Sequence, residues 1–260
     1  MKRHRIGFGA LAPVIACLLG LGCASTDGDK KESATRKAAS HYDMGVDYLK
    51  SGNTAMALRE LQVALSVDEK LPRAHHATAE AYRLSGRTAE AEKHLKRALE
   101  LDPTFQGARL SLAALYIQTE RFEDAVRESR ILVDDPTFPA PWRALTNAGW
   151  AEHRLGRNAD ARKSLVMALD MKPNYWPALL NLGILESQEN RRAEAIERFS
   201  QVLAARPGPS AEAETNYRMA EIYVSLGERD RAIAHLSAVI DKQPSGEWGR
   251  RSQEYRKLLQ

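Results

Sequence analysis

Cysteine is nearly absent: the 260 residues carry two, Cys17 and Cys23. Cys17 sits in an apolar stretch near the start. If the chain is cleaved before Cys23, one cysteine remains and no internal disulfide can form. Aromatic residues are scarce at 7 %, while 43 % of residues are hydrophobic. That balance fits an alanine- and leucine-rich helical protein and argues against both a β-sandwich and a disordered chain. An excess of one charge is also missing. The formal charge is +4, from 38 basic and 34 acidic residues. Taking away Lys2, Arg3 and Arg5 leaves 35 basic against 34 acidic, so no basic face for nucleic acid is expected. No apolar run reaches the roughly 20 residues of a spanning helix. Glycine-rich phosphate loops and nucleophile elbows do not occur.

The chain does have a start that reads as a targeting segment. Lys2, Arg3 and Arg5 precede an apolar stretch from Ile6 to Leu21, interrupted by Pro13. Residues 1–22 are therefore expected to be a signal peptide. Cleavage between Gly22 and Cys23 would leave a cysteine at the new N-terminus, which resembles the lipid-acceptor cysteine of bacterial lipoproteins. The family pattern has Leu three residues before that cysteine; here Gly20 stands there and Leu19 one step earlier. The competing reading is ordinary cleavage after Ala24, giving an unlipidated periplasmic protein. The resemblance implies lipidation at Cys23 and, with Ala24 following it, the periplasmic face of the outer membrane. Residues 23–37 lack apolar periodicity and read as a flexible tether spanning about 20 Å.

From there on a period dominates. Ala57, Ala91, Ala125, Ala161, Ala195 and Ala232 are spaced by 34, 34, 36, 34 and 37 residues. Twelve positions before each stands a second small residue: Gly45, Ala79, Ala113, Gly149, Gly183 and Ala220. Small residues recurring in two columns mark a close crossing of paired helices, where a bulky side chain would force them apart. Four residues after the alanine come Leu61, Leu95, Leu165, Phe199 and Leu236, with Ser129 as the exception. Three residues after the first small column come Tyr48, Tyr82, Tyr116 and Tyr223, with Glu152 and Glu186 in the middle units. Gly52, Gly86, Gly156 and Gly227 mark the turns, and Pro103, Pro173, Pro207 and Pro244 close units.

These columns resemble the tetratricopeptide-repeat pattern. The resemblance implies an all-α fold, an α-solenoid of six repeats at 38–71, 72–105, 106–139, 142–175, 176–209 and 213–245, with a capping helix over 246–260. One such unit cannot bury its apolar face alone, so stacking builds the core. No catalysis, cofactor or small-molecule substrate is expected. His75 and His76 are adjacent and diverge on a helix. His76 and Glu80 have ligand spacing but no third partner, so no metal site is expected.

Family geometry places the fifth, ninth and twelfth residues of each unit in the concave groove, where a protein segment binds. That set includes Tyr42, Val46 and Leu49; Leu110 and Ile117; Trp150; Leu180 and Ile184; and Tyr217. Unit two is polar there, with His76, Glu80 and Arg83. Packing between units is the competing reading, above all for Leu110 and Leu180, whereas Tyr42 and Trp150 are the preferred ligand contacts. The carboxylate-clamp subclass requires Lys and Asn where Tyr42 and Val46 stand.

Units three and four are joined by an unusual run, residues 134–157, in which Pro136, Pro139 and Pro141 precede Ala144, Asn147 and Gly149. This resembles the type IV pilus secretin pilotins with tetratricopeptide repeats, the PilF, PilW and Tgl type. The resemblance implies an outer-membrane lipoprotein whose partner is the pilus secretin and which promotes secretin localisation and multimer assembly. A generic periplasmic scaffold, recruiting cell-wall or barrel-assembly proteins, would share every repeat column.

Overall fold

A computed structural model describes residues 26–260; Cys23 and the expected signal segment lie outside the described residues. Thirteen helices and no strands are formed among them: α1 (Thr26–Lys50), α2 (Thr54–Val67), α3 (Pro72–Leu84), α4 (Thr88–Leu101), α5 (Gln106–Gln118), α6 (Phe122–Val133), α7 (Pro141–Arg154), α8 (Asn158–Met171), α9 (Trp176–Gln188), α10 (Arg192–Ala204), α11 (Pro209–Ser225), α12 (Arg229–Lys242) and α13 (Glu247–Leu259). The first twelve make six antiparallel hairpins, each stacked on the next, and α13 closes the series against α12 and α11.

The crossing columns do what their sizes require. All six alanines of the periodic column are fully buried. A methyl group added to Gly45 would lie 2.6 Å from Leu61 Cγ, one on Gly149 2.7 Å from Leu165 Cγ, and one on Gly183 2.7 Å from Phe199 Cε1. The small residue of the first helix and the large residue of the second are thus a matched pair within each hairpin.

Three residues form every turn inside a hairpin, and the middle one is always left-handed: Gly52, Gly86, Gly156 and Gly227, but also Glu120 (φ 58°) and Asn190 (φ 66°). The residue after it donates its N–H back to the carbonyl of the tyrosine-column residue, as Arg87 does to Tyr82 and Arg157 to Glu152, both at 2.9 Å. This caps the first helix and fixes the angle of the second. Proline starts α3, α7 and α11, where its missing N–H costs nothing.

Connections between hairpins are four residues long, with one exception: seven residues, Asp134–Ala140, join α6 to α7. That link is tied down. Asp135 accepts from the N–H and hydroxyl of Thr137 at 2.9 and 2.7 Å, and Gln106 of α5 donates to Asp135 at 2.7 Å. Phe138 turns inward against Leu110, Leu132 and Ala144.

One expectation is corrected at the N-terminal side. The segment read as a flexible tether is helical from Thr26 onward, continuous with the first helix of repeat one. Apolar periodicity is absent there, but Lys31, Glu32, Ala34, Arg36 and Lys37 are strong or moderate helix formers. Glu32 and Arg36, one turn apart and 3.8 Å from each other, add a surface pair. The sixth hairpin likewise starts earlier than the columns suggest, at Pro209.

Candidate functional site: a cleft on the first-helix face

The first helices of successive hairpins form one face, the concave side in folds of this kind. The nine groove candidates do not share one environment on it. Leu180, Ile184 and Tyr217 are 7, 3 and 8 % exposed and belong to a single apolar cluster with Phe199, Val202, Met219 and Ile222. Tyr217 is covered by α13: its ring centroid lies 5.2 Å from that of Trp248 and 5.9 Å from that of Tyr255, with the Arg251 guanidinium 4.8 Å from its centre. Trp150, expected as a ligand contact, packs on the same cluster, with His153 5.6 Å away. These residues are core. The reason is stacking: in repeats four to six Trp150, Leu180, Ile184 and Tyr217 are large enough to bridge between neighbouring first helices, so they fill the face instead of lining a space.

At the other end Tyr42, Val46 and Leu49 are half-buried against Leu61, Ala77 and Ala81, joining repeat one to repeat two. Arg73 lies over the Tyr42 ring at 5.2 Å. Ile117 packs beside the cluster of Tyr82, Leu95 and Leu115. Leu110 is 8 % exposed, held by Phe138 of the long link.

Where the face is open, it is polar. A cleft of about 450 Å³ spans α3, α5 and α7. His76, Glu80 and Arg83 of α3 form one wall, Leu110, Ser111 and Ala114 of α5 the floor, and Arg143 and Asn147 of α7 the far wall, with Tyr175 at the edge. Sequence spacing finds the α3 residues and Leu110. It misses Ser111 and Asn147, which occupy the sixth position of their units, and Tyr175, which comes from a loop. The signal that could have found them is polarity: the sixth position reads Asp43, Ala77, Ser111, Asn147, Asn181 and Arg218.

The groups of the α3 wall are mutually satisfied. Arg83 donates from Nε and Nη2 to Glu80 at 3.0 and 2.9 Å. His76 Nε2 lies 3.0 Å from the Ser111 hydroxyl, and its ring meets Phe105 edge-on at 5.1 Å. Burial pushes the His76 pKa down, against the pull of Glu80. The imidazole is therefore neutral at pH 7 and acts as a hydrogen-bonding group, not a cation. The α7 wall is different. Arg143 is exposed and, among the described residues, meets no carboxylate; Asn147 and Tyr175 likewise carry no side-chain hydrogen bond there. No group of three or more His, Cys, Asp or Glu among the described residues could hold a metal ion. No described helix is long and apolar enough to cross a membrane.

Comparison with known proteins identifies the repeat. A tetratricopeptide-repeat family model matches residues 82–148 and 188–250, and a second tetratricopeptide-repeat model matches residues 42–104. No curated protein matches the sequence significantly. Among solved structures, PilF of Pseudomonas aeruginosa is similar over 87 % of this chain and 99 % of its own, at 18 % identity and a TM-score of 0.70. PilW, described as a widely conserved type IV pilus biogenesis factor, is similar over 83 % of this chain and 98 % of its own, at 18 % identity and a TM-score of 0.72. Cut9, from the Cut9–Hcn1 tetramer of the APC/C, is similar over 89 % of this chain and 46 % of the other, at 17 % identity and a TM-score of 0.74. At these identities the likeness is one of fold.

Proposed function

The chain belongs to the tetratricopeptide-repeat family, and we propose that it is an outer-membrane lipoprotein that binds secretin subunits and promotes their assembly in type IV pilus biogenesis. The observation that carries this reading is the extent of the likeness: nearly the whole of PilF and of PilW, 99 and 98 % of their lengths, corresponds to this one chain. The segment before residue 26, with its basic start, apolar stretch and Cys23, adds the anchor such a role needs. Lipidation at Cys23 would hold the solenoid at the membrane surface and raise its effective concentration beside incoming subunits. The open cleft across α3, α5 and α7 would hold a segment of the partner. The amide of Asn147, without a partner among the described residues, suits the backbone of an extended chain.

A generic scaffold is the second reading, favoured by the equally good fold match to Cut9. One experiment separates them. In outer membranes of cells lacking this protein, the heat- and detergent-resistant secretin multimers should disappear while monomer persists. Normal multimers together with normal pili would sink the pilotin reading and leave the scaffold.

A further inference from the structure

We infer that the cleft selects a partner segment carrying an acidic side chain, which seats on Arg143; this rests on the reading of the first-helix face as a segment-binding groove. The argument is one of charge and of unfilled hydrogen-bonding capacity. Besides the Tyr175 phenol, four charged or titratable groups face the cleft: His76, Glu80, Arg83 and Arg143. Glu80 is consumed by Arg83 through two hydrogen bonds of 2.9 and 3.0 Å, and its other neighbour, His76, is 4.0 Å away. That pair contributes no net charge. Arg143 then stands as the only cation of the cleft without a counter-ion among the described residues. Asn147, one turn along the same helix, and the Tyr175 hydroxyl at the edge both offer donors with no partner there.

An uncompensated guanidinium lining the same cleft as two further free donors describes a seat for a carboxylate, because a guanidinium accepts nothing and pairs best with two coplanar oxygens. A hydroxyl or amide ligand would satisfy the hydrogen bonds and leave the charge. The floor adds selectivity of another kind: Leu110, Ala114 and the small Gly107 leave room for an apolar neighbour beside the acidic residue. The preferred occupant is thus an extended segment with an Asp or Glu followed or preceded by a small aliphatic side chain. The filled face of repeats four to six could not take it, since Trp150, Leu180, Ile184 and Tyr217 occupy that space.

The test uses residues 24–260, the chain without its expected signal segment and lipid-acceptor cysteine, immobilised and panned against a random dodecapeptide library displayed on phage with the peptide C-termini fused and thus not free. The wild type should enrich peptides with one or two acidic residues, and Arg143→Glu should enrich basic ones in their place. Arg143→Gln should bind the selected acidic peptide about tenfold more weakly by fluorescence anisotropy, the loss typical of one charge-assisted contact, and replacing that peptide's acidic residue by its amide should have the same effect. The thermal midpoints of both variants should stay at the wild-type value, because Arg143 is exposed. Enrichment without acidic bias, or a bias unchanged by Arg143→Glu, would overturn the inference and leave the groove reading standing. Enrichment only when the library has free C-termini would transfer the site to a terminal carboxylate and also overturn it. No enrichment of any peptide would remove the groove reading and the inference together.

Discussion

In repeats two and three the polar residue three positions after the periodic alanine reaches back to the start of its own first helix. His94 meets His75 Nδ1 to Nδ1 at 2.9 Å, and Arg109 donates to Glu128 at 2.6 Å. In repeats four and five the first-helix position is leucine, Leu145 and Leu179, both buried. The second-helix residue, now Ser164 or Arg198, faces a glutamate twelve residues before it. Glu152 accepts from Ser164 at 2.7 Å and from Arg130, a residue of the preceding repeat, at 2.5 Å. Glu186 accepts from Arg162, again of the preceding repeat, at 3.1 Å, and lies 3.8 Å from Arg198. Repeats one and six follow the first scheme, with His41 to Glu60 at 2.7 Å and Asn216 to His235 at 2.8 Å.

The difference is one of direction. A tyrosine in the column leaves the buried polar contact inside one hairpin; a glutamate there calls in an arginine from the hairpin before. A buried carboxylate without such a partner would be expensive, so the two glutamates tie repeats three, four and five into a single unit. The first-helix face divides in the same way, open and polar over repeats two and three, filled with Trp150, Leu180 and Ile184 beyond. One half of the solenoid displays groups and the other half supports it, with α7 as the seam that contributes to both.

Breaking the bridge at its centre should have the largest effect. Glu152→Ala removes the carboxylate that pairs with Arg130 and accepts from the Ser164 hydroxyl, leaving of this network only the Arg130–Ser164 hydrogen bond at 2.9 Å, and about 3 kcal/mol of stability should be lost. Urea unfolding should also turn biphasic as repeats three and four uncouple; a single transition with an unchanged midpoint would refute the bridge. Trp150→Ala should cost about 2 kcal/mol, less than a fully buried tryptophan because this side chain is only partly buried against its cluster. The same substitution at Tyr42, half-buried under Arg73, should cost about 1 kcal/mol. If either variant kept its thermal midpoint, these side chains would return to being ligand contacts.

Acid should act on repeats two and five with opposite signs. Glu69 offers a carbonyl 2.9 Å from His75 Nε2, so that nitrogen carries the proton and His94 Nδ1 donates to the bare His75 Nδ1. Burial, helped by the neighbouring His75, pushes the His94 pKa down from 6.5 to about 4. The unfolded chain takes up this proton first, so the contribution is complete above about pH 6.5 and is lost as pH falls toward 4. Glu186 runs the other way. Burial raises its pKa, more than its arginines lower it, so the native state binds the proton more tightly and acidification firms this repeat. Amide exchange compared at pH 7 and pH 5 should show α3 and α4 losing protection relative to α9 and α10, with His94→Asn abolishing the loss. Equal changes in both pairs would contradict the opposed signs.

The smallest effect concerns the turns. Glu120 holds a left-handed conformation that disfavours a side chain, while Asn190 tolerates it. Glu120→Gly should raise stability by about 0.5–1 kcal/mol, and Asn190→Gly by no more than a few tenths. A reversed order in thermal midpoints would point to a side-chain role for Glu120, which lies 3.5 Å from Arg154.

The repeat architecture was legible because its signals are steric and local. Gly45 against Leu61 and Gly183 against Phe199 leave no alternative crossing. The groove was less legible, because whether a first-helix residue faces space or a neighbour depends on the next repeat's side chains. Tyr217 reads as a groove residue until Trp248 and Tyr255 of α13 are laid over it. Arg143 and Tyr175 had no column to announce them. The helical stretch before residue 38 was missed for the opposite reason, since a helix held by propensity and surface pairs lacks an apolar stripe.

The uniform connections carry a consequence for how such a chain can grow. Any whole hairpin copied and inserted at a four-residue connection arrives with the right reach and phase, so duplication and loss of repeats at the gene level would be tolerated almost anywhere along it. The stretch from Asp134 to Ala140 is the exception. Its extra residues, its prolines and its buried Phe138 fit one pair of neighbours only, and a duplicated hairpin placed there would find its docking surface already taken. Lineages carrying this link should therefore vary in repeat number at their ends and stay fixed at this seam.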